Sequence, residues 1–186
     1  MNNTNDMRLN SNIFKNMIGH KFIKYRCDPF IYTNTVTAIV GLYIDNKIYK
    51  IVNEQEYTQY FNTKDDIAVW NIFEVKDKEI YSYFSNIKQI DTPVNEVINK
   101  ITLVNELQSV KINDTCYTLW VTRSIIFNLE NRDIYFEKDS ISFSEEIEIK
   151  RGYNLIKDYP KRNDYFLDEW VEGISASVKT EFQTIE

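Results

Sequence analysis

The sequence predicts a mainly β fold, an antiparallel sandwich or partly open barrel with one or two short helices. The composition favours strands, because only three of the 186 residues are alanine while isoleucine, valine, threonine and aromatic residues are abundant. The stretch from Cys116 to Leu129 also alternates apolar and polar side chains with a period of two. That period is typical of a long strand with one buried face.

The first half of the chain contains three predicted strand regions. Residues 20–27 alternate and carry basic side chains on one face, which favours an edge strand kept soluble by its charges over a surface that contacts phosphates or carboxylates. Residues 35–53 read as a hairpin with a turn at Asp45-Asn46. Residues 67–75 are apolar on both faces, as expected of a central strand.

A helix start is predicted at Thr92-Pro93, with threonine as the N-cap and proline as the first helical residue. Apolar residues then recur at helical spacing, so we expect a short helix to about Lys100 and a strand after it. The later predicted elements are an antiparallel meander over residues 117–129, 134–136 and 141–149, a second helix over 164–172 and a final strand over 174–182.

The predicted domain organisation is simple. Residues 1–12 are polar and are expected to form a mobile tail, and residues 13–186 are expected to form a single β-rich domain, since no linker divides them. The similar order of strands in residues 36–75 and 117–149 is compatible with a diverged internal duplication. No stretch approaches the roughly 20 apolar residues of a membrane span, and none resembles a signal peptide. We therefore expect a cytoplasmic protein with no membrane partner.

The charge is unevenly distributed along the chain. Residues 1–90 hold 11 basic and 10 acidic residues, and residues 91–186 hold 11 basic and 18 acidic ones, so the halves carry +1 and −7 within a net charge of −6. An acidic protein repels nucleic acid, whose phosphates bind basic surfaces. The sequence thus disfavours a nucleic-acid partner and suits a basic protein partner.

The missing motifs exclude several classes of enzyme and cofactor site. The four glycines form no phosphate-binding loop and no nucleophile elbow. His20 is the only histidine, which rules out zinc sites with several histidines, and Cys27 and Cys116 stand in no metal-ligand spacing. The sequence therefore predicts no cofactor, no metal and no catalytic residue.

Two charged residues interrupt the meander's apolar faces. Arg123 lies between Val121 and Ile125, and Glu145 lies between Phe143 and Ile147. A charge inside a core is costly unless it is paired. Three explanations remain open: a β-bulge or strand end turns the residues outward, the two form an internal ion pair, or they face a ligand.

Three functional classes follow from these observations. The first is a non-enzymatic protein-interaction module, such as an inhibitor, a toxin-neutralising protein or an accessory protein of a mobile element. The alternatives are a β-barrel that binds a small ligand through Arg123 and a hydrolase that uses paired carboxylates. The candidate binding residues are Arg123, Glu145, Trp120, Trp170, Asp168 and Glu169.

Overall fold

A computed structural model describes residues 3–30, 33–157, 159, 166 and 174–186 of the chain. It confirms the mainly β fold. The described residues contain eleven strands, one four-residue helix and one 3₁₀ turn. They are β1 (Asn3–Met7), α1 (Asn12–Lys15), β2 (Lys21–Cys27), β3 (Thr35–Thr37), β4 (Ile39–Ile44), β5 (Lys47–Tyr60), β6 (Thr63–Glu74), the 3₁₀ turn (Asp77–Glu79), β7 (Ile90–Ile112), β8 (Thr115–Leu129), β9 (Asp133–Lys138), β10 (Glu146–Gly152) and β11 (Ser175–Ile185).

The strands form one open sheet in the order β3-β10-β9-β8-β7-β2-β4-β5-β6. Neighbours along this path are antiparallel, whereas β1 runs parallel to β8. The long strands β7 and β8 have different neighbours along their length. The first part of β7 pairs with β2 and the rest with β11, while β8 pairs with β9 at one end and with β1 at the other.

The β3–β10 pair and the β4–β5 pair meet at Ala38, between β3 and β4. Its N–H donates to the carbonyl of Glu145 over 3.0 Å, and its carbonyl accepts from the N–H of Asn53 over 2.8 Å. The largest buried cluster lies inside this curved sheet and includes Phe22, Tyr25 and Trp70. On the other face of β7 and β8, Val110 and Leu119 pack with Phe61 from the β5–β6 turn and with Phe166.

The predicted helix after Thr92-Pro93 is wrong, because residues 90–112 are one strand. Irregular pairing explains the misleading spacing. Asn99 is an additional residue between the pairs Ile98–Leu129 and Lys100–Asn128. This bulge brings Ile98 and Ile101, three positions apart, into the same core. The apolar residues therefore recur as they would in a helix although the backbone is extended.

Three further predictions about position differ from the structure. Strand β2 is not an edge strand, since it pairs with β4 on one side and β7 on the other. Strand β6, predicted to be central, is the last strand of the order. The expected tail over residues 1–12 contains a paired strand, Asn3–Met7, and a buried Leu9. The predicted helix over 164–172 lies outside the described residues except for Phe166, and the internal duplication stays a prediction.

Candidate functional site

Arg123 is the additional residue of a bulge in β8. Val104 pairs with Ser124 and Asn105 pairs with Thr122, which leaves Arg123 without a residue opposite. The bulge does not turn the side chain towards water, because Arg123 is only 3% exposed. Its Nη1 donates to the carbonyl of Asp139 over 2.6 Å.

The carboxylate beside Arg123 is Glu106, whose Oε2 lies 3.7 Å from the guanidinium Nε. Glu106 also accepts hydrogen bonds from Tyr159 Oη at 3.0 Å and from Gln108 Nε2 at 3.2 Å. Burial, reinforced by the charge of Glu106, raises the pKa of Tyr159 and keeps its phenol a neutral donor. Arg123 and Glu106 are therefore charge partners within a buried polar network, although Arg123 Nε makes no hydrogen bond among the described residues. This is the arrangement of a structural ion pair.

Glu145 does not pair with Arg123. Its Oε1 accepts from the N–H of Gln55 in β5 over 3.0 Å. Arg123 and Glu145 hold the two ends of one loop, residues 139–145, against β8 and β5 respectively. The internal Arg123–Glu145 pair is thus replaced by two separate contacts that fix the same loop.

The other predicted binding residues do not join this network. Trp120 is half-buried, and the Arg8 guanidinium lies 4.6 Å from its ring centroid. Trp170, Asp168 and Glu169 lie outside the described residues.

Four carboxylates line a cavity of about 400 Å³ between β9, β10 and β3. They belong to Glu137, Asp139, Glu146 and Glu148. Lys150 reaches two of them, with Nζ 2.9 Å from Glu148 and 3.6 Å from Glu137. Burial acts to raise the pKa of Asp139, but hydrogen bonds from Ser144 and from the 140–141 segment outweigh it and lower that pKa. A carboxyl with a lowered pKa is a poor general acid, so Asp139 does not suit that role.

An exposed aromatic surface that was not predicted from the sequence lies on residues 80–89. This segment connects the 3₁₀ turn to β7 and is called the aromatic loop here. Tyr81, Tyr83 and Phe84 are 49%, 44% and 52% exposed, and Ile90 beside them is 44% exposed. The rings of Tyr81 and Tyr83 lie 5.8 Å apart, and the Lys50 ammonium lies 5.7 Å from the Tyr81 ring centroid. The loop borders a cleft of about 850 Å³.

Arg26 of β2 holds both ends of the aromatic loop. Its Nη1 donates to Asp77 over 2.9 Å before the loop, and its Nε donates to Asp91 over 2.6 Å after it. Lys24 adds a 2.6 Å bond to Asp91, and the Tyr43 hydroxyl adds one of 2.6 Å to Asp77. The hydrogen bond from Arg26 lowers the pKa of Asp91 to about 2. Lys24 and Arg26 of β2 thus fix the ends of the loop.

The first residues of the aromatic loop are held by two inner contacts. Ile80 packs with Ala38 and Ile39 and lies directly over Gly41, where an added Cβ would stand 2.8 Å from Ile80 Cγ2. Ser82 Oγ donates to Asp28 Oδ2 over 2.7 Å and accepts from the N–H of Phe84 over 3.1 Å. A loop fixed at its ends and again at Ser82, next to Tyr81 and Tyr83, presents these exposed rings in a defined arrangement.

The sequence contained one signal for this surface. Three aromatic residues fall within four positions, 81–84, in a stretch without helical or strand periodicity. Their exposure could not be deduced, because aromatic residues also form the core of this chain.

The described residues contain no group of three or more His, Cys, Asp and Glu side chains that could hold a metal ion. Within the same residues, no helix has the length and apolar character needed to cross a membrane. Comparisons with models of protein families, with curated proteins and with solved structures gave no match to this chain.

Proposed function

We propose that this protein is a non-enzymatic interaction module that binds another protein through the aromatic loop. The observation that carries the proposal is the exposure of Tyr81, Tyr83 and Phe84 together on a loop held by Arg26. Tyrosine, phenylalanine and arginine are enriched in protein interfaces, where a few large side chains supply most of the binding energy.

The internal contacts of the loop support this function. Binding costs free energy when it must order a mobile segment. Here the ion pairs of Arg26 and the hydrogen bond from Ser82 to Asp28 already fix the backbone in the unbound chain. A partner would therefore meet rings whose positions are set before contact, which favours affinity.

The interacting surface extends beyond the loop. Lys50 approaches the Tyr81 ring, and Phe73, its partner in the β5–β6 ladder, is 50% exposed. The exposed rings thus continue from the loop onto β5 and β6. A row of aromatic rings interrupted by one lysine suits a protein surface with its own apolar and acidic groups.

The two other classes receive weaker support. The cleft of about 850 Å³ has a volume suited to a small molecule, and Arg26 and Lys88 are the cations among its described lining residues. Arg26 is already paired with Asp77 and Asp91, so only Lys88 is left to hold an anionic ligand. The predicted polar contact for a small ligand, Arg123, is buried against Glu106. A carboxylate enzyme would depend on groups that Lys150 neutralises in part.

Site-specific photo-crosslinking in the native host tests the proposal. A photoreactive phenylalanine analogue replaces Tyr83 in one variant and Tyr153, which is 76% exposed outside the aromatic loop, in a matched control. We expect a discrete protein adduct from position 83 and none from position 153. The same adducts from both positions, or no protein adduct at position 83, would contradict the proposal.

A further inference from the structure

Asp28 is a buried carboxylate of which the aromatic loop uses only one oxygen. The residue is 8% exposed, and its Oδ2 accepts the hydrogen bond from Ser82 over 2.7 Å. Its Oδ1 is buried and has no hydrogen-bond partner among the described residues. Since a buried carboxylate oxygen without a donor is costly, this atom is an unused acceptor of high strength.

The unused oxygen belongs to a residue that lines a pocket of about 350 Å³ beside the aromatic loop. Glu146 of β10 supplies a second carboxylate, and the threonines at positions 33, 35 and 37 supply hydroxyl groups. Phe84 and Ile87 of the aromatic loop add apolar surface. None of the described residues that line the pocket is basic.

We propose that this pocket receives the basic side chain of an arginine or lysine from the protein partner, with the cationic group on Asp28 and its aliphatic stem against Ile87 and Phe84. The inference rests on the proposed function and names the chemistry of the partner. A charge-assisted hydrogen bond to a buried carboxylate is among the stronger polar contacts, and an aromatic face attracts a cation.

The shape and charge of the pocket favour a side chain over a metal ion. A hydrated cation would need a shell of oxygen ligands, whereas part of this wall is apolar. Asp28 and Glu146 are its only carboxylates among the described lining residues, and no metal-holding group was found among the described residues. The charge of −7 on residues 91–186 would also attract a basic partner at long range.

The test compares amino-acid amides whose side chains are charged or neutral. The full chain, labelled with ¹⁵N, is titrated with arginine amide and with citrulline amide, which has nearly the same shape but a neutral side chain. We expect saturable shifts at Thr33, Thr35, Ser82 and Phe84 with arginine amide, at a Kd of roughly 1 mM. Lysine amide should shift the same resonances, and citrulline amide should not.

Two variants assign the effect to the carboxylate. Asp28→Asn keeps an oxygen that accepts from Ser82 and removes the charge, so we expect at least tenfold weaker binding of arginine amide. Asp114→Asn, in the exposed turn between β7 and β8, should bind as the wild type does. If Asp28→Asn does not fold, Glu146→Gln is tested instead. We expect Glu146→Gln to weaken the binding of arginine amide at least threefold, a smaller loss than for Asp28→Asn because Glu146 is exposed to water.

Equal binding of arginine amide and citrulline amide, wild-type affinity in the variant that folds, or no saturable binding of arginine amide would overturn the inference. These outcomes are independent of the crosslinking at position 83. A specific adduct at Tyr83 together with a failed titration would leave the proposed function standing and remove only the basic-side-chain pocket.

Discussion

Replacement of Arg123 by methionine tests whether the buried polar network is structural. Methionine retains the apolar stem and removes the guanidinium, so the carbonyl of Asp139 loses its donor and Glu106 loses its cation. Glu106 is 5% exposed, and water cannot easily replace the lost contact. Breaking a buried pair in this way costs about 3–5 kcal/mol of unfolding free energy.

A double variant separates the charge from the packing. Glu106→Gln removes the carboxylate charge and keeps one oxygen, which can still accept from Tyr159. Gln108 donates to the other oxygen of Glu106, so its amide must turn over to accept from the new NH2 group. Arg123→Met combined with Glu106→Gln should therefore recover most of the lost stability, to within about 2 kcal/mol of the wild type.

Urea denaturation measures these differences. With an m-value of about 2 kcal/mol per molar, the single variant should lower the unfolding midpoint by about 2 M. Arg8→Met is the matched control, because that guanidinium is 35% exposed and its pair with Asp6 is worth about 1 kcal/mol or less. The reasoning is refuted if Arg123→Met stays within about 1 kcal/mol of the wild type or if the double variant is no more stable than the single one.

Three further predictions concern the aromatic loop. Arg26→Met should increase hydrogen exchange in residues 80–89 about tenfold while β8 keeps its protection; unchanged exchange would mean that Arg26 does not fix the loop. Gly41→Ala should displace Ile80, lower the unfolding free energy by about 1–3 kcal/mol and shift the loop's amide resonances; an unshifted spectrum would contradict the close approach. The pKa of Asp91 is about 2 in the fold, against an ordinary 3.8. The contribution of the Asp91 carboxylate to the unfolding free energy is therefore fully present above about pH 4 and is lost as the pH falls towards 2. The unfolding free energy of the wild type should therefore exceed that of Asp91→Asn by about 1 kcal/mol at pH 5 and by nearly nothing at pH 2. The difference is small because Asp91 is 41% exposed. A pH-independent difference would exclude this linkage.

Alternation in the sequence was sufficient to predict the fold class and several strands. The hairpin with its turn at Asp45-Asn46 and the strands β8, β9 and β11 lie close to their predicted positions. The hairpin, β8 and β11 show a period of two over enough residues to exclude a helix, whereas β9 was predicted from a short apolar run after a polar break. Such local patterns depend on side chains that are near one another along the chain, which is why the sequence alone contains them.

Bulges and strand order could not be predicted in the same way. The additional residue Asn99 changes which face the following residues occupy, so a strand acquired the spacing of a helix. Periodicity also reports how many faces of a strand are buried but not which strands lie beside it. For this reason β2 was placed at an edge and β6 in the centre.

The candidate site depended on contacts between distant residues. Arg123 was correctly identified as an exception in its strand, yet its partner Glu106 lies on the neighbouring strand, β7, next to the bulge. Likewise the charges of Lys24 and Arg26 were visible, but their pairing with Asp91 follows only from the placement of β2 beside β7. Because β2 pairs with β7, its basic side chains contact Asp91 and support the aromatic loop, and they do not simply face water.

The affinity of the complex with the partner captured at position 83 tests the central claim most directly. Isothermal titration would compare the variant Tyr83→Ala, Phe84→Ala with the matched variant Tyr57→Ala, Tyr153→Ala, whose rings are 70% and 76% exposed elsewhere. If the aromatic loop is the binding surface, the first variant should raise Kd at least a hundredfold, about 2.7 kcal/mol, and the second less than threefold. Equal affinities for the two variants would contradict the account.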